Sequence, residues 1–152
     1  MRIELKDAHE EELGQFLQTI FAMDQNDLQR TNASQCYKML KSRETEFIGS
    51  SLEPLYWHSL SFELFHLAQQ ALFQQNEDAK ALLNESLSAA HQGYDKPWIA
   101  YIEGTINYLE NNPEHLQQNI PLAGGNHVTL KKLLMGLEER GYPNYFVDYG
   151  KK

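Results

Sequence analysis

Three side chains on one stretch of the chain, His58, Glu63 and His66, are of the types that hold metals or move protons. Glu63 and His66 have the Glu-x-x-His spacing with which helical di-iron proteins present two ligands on one helix face. That chemistry requires a second such pair and bridging carboxylates from two further helices. Glu110 and His115 are the nearest approach to a second copy, but Asn112 and Pro113 interrupt them. The three residues are therefore read as a polar patch on an otherwise apolar helix, with a helical metal-binding enzyme as the alternative. Gly124, Gly125, Asn126 and His127 resemble a phosphate-cradling loop only superficially, because the Gly-Lys-Ser or Gly-Lys-Thr ending and a preceding strand are missing. They read as a connector between helices. No spacing of Ser, His and Asp fixes a catalytic triad, so no catalytic residue and no cofactor is expected.

Charge narrows the partners further. The chain of 152 residues has a formal net charge of -8, which opposes binding to a nucleic-acid backbone or an anionic membrane. The acid is concentrated. Residues 51 to 127 carry 9 acidic and 2 basic side chains, whereas residues 128 to 152 carry 3 and 5. A protein or peptide partner, basic where it meets the middle segment, is the electrostatic reading; ordinary solubility charge on a bacterial-type protein is the alternative. The single Cys36 has no partner for an intramolecular disulfide and no zinc-spaced neighbour, and reads as a small packing residue. With no secretory h-region at the N-terminus and no run of about 18 apolar residues, a cytoplasmic, non-membrane protein is expected.

The elements that would position these residues are helices. Asp7 and Glu10 form a capping-box-like start to a helix over about 8 to 22, in which Leu13, Phe16, Leu17 and Ile20 recur. Asn26 can cap a second helix, carrying Ala33, Tyr37, Leu40 and Phe47, that Gly49 ends. From Leu52 to Gln75, with Pro54 suited to a helix's first turn, Leu60, Leu64, Leu67 and Ala71 form one apolar stripe, and Phe62, Phe65, Leu72 and Phe73 form another beside it. A helix apolar over so wide an arc must be covered on more than one side. Asn76 restarts the pattern and Gly93 closes it. Asp95 with Pro97, and Asn112 with Pro113, each pair a cap with a first-turn proline. A last helix runs from Thr129 to Gly141, and the aromatic tail from Tyr142 to Tyr149 is expected to fold back onto it. About seven helices and no strand result, in a single domain over 1–152 with N-terminal helices in 1–50, two hairpins in 52–122 and the last helix and tail in 126–152.

At an offset of 36 residues, Phe65 aligns with Tyr101, Ala68 with Gly104, Gln69 with Thr105, Leu72 with Tyr108 and Asn76 with Asn112. Here the chain resembles the tetratricopeptide repeat family, over about residues 60–122, although Glu85, Gln117 and Pro121 depart from the pattern of that family's second helix. The resemblance implies an all-α fold of antiparallel helical hairpins stacked as a short right-handed superhelix. It also implies a non-enzymatic, protein-binding role on a concave groove lined by Glu63, His66, Gln70 and Phe73 in one copy and Ile99, Ile102 and Ile106 in the other. That second set is apolar, so the first helices or the tail are candidates to fill the groove. An immunity or inhibitor protein masking a basic partner is a further reading of the acidic surface.

Overall fold

The computed structural model describes residues 8–24 and 31–151, and every regular element among them is helical. Among the described residues, nine α-helices succeed one another: α1 (Ala8–Asp24), α2 (Ala33–Ser42), α3 (Glu44–Phe47), α4 (Glu53–Phe73), α5 (Ala79–Gly93), α6 (Lys96–Leu109), α7 (Pro113–Asn119), α8 (His127–Arg140) and α9 (Tyr145–Tyr149). The two beyond the expected seven are short. The expected second helix breaks at Arg43, whose side chain pairs with Glu46 and Glu12, so Phe47 arrives on the separate turn α3. The tail adds α9. Asp7 and Asn26 lie outside the described residues. The Glu10 carboxylate accepts from the backbone N–H and the hydroxyl of Ser51, tying α1 to the entry of α4. Among the described residues, no helix is long and apolar enough to cross a membrane.

α4 is the middle element, as its double stripe requires. One side packs with α1, α2 and α3 around Leu13, Ile20, Leu40, Phe47 and Tyr56; the other adds Phe65 to a core shared among α5, α6, α7 and α8 with Leu83, Ile102, Tyr108, Leu116 and Leu130. Cys36 is fully buried in the first of these cores. Tyr56 stacks on Phe47 with ring centroids 4.9 Å apart and donates its hydroxyl to the Leu40 carbonyl, so its one polar atom is satisfied inside.

Small residues let α4 and α5 approach closely, and Trp98 of α6 reaches across to them. Ser61 and Ser86 are fully buried, each hydroxyl reaching the other residue's carbonyl at 2.8 Å, and the Trp98 indole N–H donates to the Ser61 oxygen at 2.8 Å. Three helices are joined by polar contacts that leave none of these groups without a partner. Gly93 does not end α5 by adopting a left-handed conformation. Tyr94 does so, at φ 58°, while a Cβ on Gly93 would lie 3.2 Å from the backbone of Pro54 and of His58. A side chain there would press on the α4 backbone.

The 36-residue correspondence extends to backbone geometry. α4 and α6 end with Gln75 at φ 55° and Asn111 at φ 56°. After each, an asparagine N–H reaches five residues back, Asn76 to Ala71 and Asn112 to Asn107. This is the same Schellman-type closure twice. The asparagine side chains then serve the next element, Asn112 by capping α7 at His115 and Asn76 by accepting from the Asp78 N–H ahead of α5. The turns that end α4 and α6 are thus alike in backbone geometry as well as in residue pattern.

Candidate functional site

The four residues expected to line one groove divide between two environments. Glu63 and His66 face the end of α1, only 2% and 6% exposed. His66 Nδ1 lies 2.9 Å from Oδ1 of Asp24, the last residue of α1. Of the three side chains singled out for metal chemistry, Glu63 and His66 come together and His58 stays apart. Its Nδ1 is 3.6 Å from Asp95 Oδ2, and its ring sits edge-on to Phe62 at 4.7 Å. Burial holds the His58 imidazole below its ordinary pKa, and the Asp95 charge opposes that only in part. Asp24 takes the third place. Its signal in the sequence was positional, since Leu13, Leu17, Ile20 and Asp24 step i, i+4, i+7, i+11, which places a carboxylate on the stripe that α1 turns toward α4.

Gln70 and Phe73, one and two turns further along α4, open into a cleft of about 720 Å³. Its other wall is the tail, through Phe146, Val147 and Tyr149, with Thr31 at the rim. Phe146 is 63% exposed. Phe73 meets the Tyr145 and Tyr149 rings at 5.8 and 5.7 Å, and these two tyrosines stack on each other at 5.1 Å.

The wall is fixed from behind by polar contacts. Tyr108 donates to Asp148 Oδ2 at 2.6 Å and accepts from the Asn144 N–H at 2.7 Å; Gln69 donates to the Tyr145 hydroxyl at 3.0 Å. Arg140 grips the fully buried Asp148 carboxylate with both terminal nitrogens. Burial alone would raise the Asp148 carboxyl pKa, but the hydrogen bonds from Arg140 and Tyr108, with the charges of Arg140 and Lys151, bring it below the ordinary aspartate value. Gly136 on α8 makes room for this carboxylate, which occupies the space a Cβ there would need. The tail therefore folds back as expected, held by Asp148, Arg140 and Gly136 as well as by its aromatic rings.

The second expected set does not form a continuation of the cleft. Ile102 is fully buried in the core, Ile106 is half-buried against it, and Ile99 lines a separate depression with the exposed Tyr94 and Leu122. His127 turns back on the connector, its Nδ1 2.8 Å from the Gly124 carbonyl, in a geometry that staples the turn. Compared with known proteins, the chain matches no family model, and no curated protein or solved structure is significantly similar to it.

Proposed function

We propose that the protein is a non-enzymatic binding module of tetratricopeptide-like type that captures a short, extended peptide segment of a partner protein in the cleft between α4 and the tail. The observation that carries this reading is the construction of the cleft, an apolar surface of Phe73, Phe146, Val147 and Tyr149 on an anchored backbone, with the carboxamides of Gln70 and Gln74 at its side. Exposed rings supply contact area with few rotatable bonds to immobilise, and carboxamides can pair with the N–H and C=O groups of an extended chain. An anchored tail lowers the ordering cost of binding.

The peptide is one with an apolar anchor followed by basic residues. Gln74 at the cleft is followed by exposed Glu77 and Asp78, part of the acidic middle of the chain, and these favour positive charge at that end. The cytoplasm remains the compartment this reading assumes.

A displayed random-peptide library selected on the full chain tests the proposal. Enriched peptides should share an apolar residue flanked by Lys or Arg, and Phe146→Glu should abolish their binding while leaving the melting temperature unchanged, because Phe146 is mostly solvent-exposed. Peptides that bind Phe146→Glu as well as wild type would refute the cleft as the site.

A further inference from the structure

The buried contact between α1 and α4 has a chemistry that peptide binding does not use. Asp24, Glu63 and His66 each offer one ligand atom, and these atoms all lie within 4.8 Å of one another. We propose that these three side chains bind one divalent first-row cation, with Zn²⁺ as the ion of choice for a set of one imidazole and two carboxylates.

Bond lengths to Zn²⁺ of about 2.0–2.2 Å at tetrahedral angles place neighbouring ligand atoms roughly 3.3–3.6 Å apart. His66 Nδ1 and Asp24 Oδ1 stand in direct contact at 2.9 Å, so an ion need part them by only about 0.5 Å to sit between them. Glu63 precedes His66 by three residues on α4, so the two project from one face one turn apart. Its carboxylate is the third member of the set, within 4.8 Å of the other two ligand atoms. Two carboxylates and a neutral imidazole carry a charge of -2, which a divalent ion neutralises in a setting where Glu63 and His66 are almost wholly removed from water. On binding, the imidazole carries its proton on Nε2, so that the Nδ1 lone pair faces the ion.

Room for a further ligand exists beside the set. A cavity of about 60 Å³ is lined by Asp24, Glu63, Ser59, Phe62, Ile20 and Phe21, larger than the roughly 10–15 Å³ one water needs. Three protein ligands with an adjoining water-sized space is the pattern of a metal site with an open coordination position. Among the described residues, the other ion pairs of histidine lack this arrangement. His58 faces Asp95 at 3.6 Å, and His9 faces Glu46 at 3.6 Å with 56% of its side chain exposed.

The test is calorimetric titration of Zn²⁺ into the chelator-treated full chain, with thermal melting measured in parallel. Wild type should bind one equivalent and melt at a higher temperature with the ion present. Glu63→Gln, which keeps size and shape, should weaken binding at least about tenfold and lose the thermal shift, as should Asp24→Asn. His58→Gln should leave both unchanged. Absence of saturable one-to-one binding to the wild-type chain would overturn the proposal without reference to any variant. Equal affinity in Glu63→Gln, or loss in His58→Gln alone, would overturn it by placing the ion outside the Asp24, Glu63 and His66 set.

Discussion

Asp148→Asn is the perturbation that most directly examines how the tail is held. The side chain keeps its size but loses its charge, and with it the charge-assisted bonds from Tyr108 at 2.6 Å and from the two Arg140 nitrogens. Hydrogen bonds to an ionised group contribute about 1.5–3 kcal/mol each. The bonds are coupled through one carboxylate, and Arg140 is 19% exposed, so water recovers part of its loss. A net cost of about 2–3 kcal/mol follows from counting one such bond in full and the others in part. For a chain of this length that is a fall in melting temperature of roughly 5–10 °C. Urea unfolding gives the free energy, and hydrogen exchange of the amides of 144–150 shows whether the tail opens ahead of the core.

The effect has a defined pH dependence. The Asp148 carboxyl is held below its ordinary value in the folded chain, so its stabilisation is complete above the unfolded aspartate value of about 3.9 and is lost as pH falls through the lower folded value. Wild type and Asp148→Asn should therefore differ near neutrality and converge in strong acid. A neutral-pH difference under about 0.5 kcal/mol, the ordinary scatter of surface substitutions, with tail amides still protected, would refute the view that this carboxylate anchors the cleft wall.

Further outcomes follow from other close contacts. Gly104→Ala should destabilise by about 1–3 kcal/mol, because a Cβ there would lie 2.7 and 2.9 Å from the Leu130 methyls of α8; a chemical melt reads the loss directly. Gln75→Gly should stabilise by about 0.5–1 kcal/mol, since Gln75 holds φ 55° at an exposed turn where glycine carries no steric penalty. His58 prefers its neutral form in the folded chain, so protonation favours the unfolded state. Stability should fall as pH drops below about 6.5, the unfolded value, and level off below the depressed folded one. His58→Gln should flatten that part of the pH profile in thermal melts taken between pH 7 and 5.

The helices were legible because their ends are written in local chemistry. Asp95 accepts from the Trp98 N–H and Asn112 from the His115 N–H, and Gly141 takes φ 87° after α8, all at the ends their types mark. The double stripe of α4 correctly placed it between two packed layers. The break at Arg43 was not legible, because the salt bridges that accompany it include one to Glu12, 31 residues away. Nor was the covering of Glu63 and His66. Helical spacing shows which residues share a face but not which distant element lies on it, and Asp24 is 42 residues from His66. Gly136 likewise gave no local sign of its purpose, since it sits mid-helix and its reason is the Asp148 carboxylate 12 residues on.

Chemical-shift mapping with an isotope-labelled chain and a library-selected peptide tests the binding account most directly. The account predicts that the largest perturbations fall on Gln70, Phe73, Phe146 and Tyr149, with those of Glu77 and Asp78 growing as basic residues are added at the adjoining end of the peptide. Perturbations centred elsewhere, as on Ile99, Tyr94 and Leu122, with the α4 and tail signals unmoved, would contradict it.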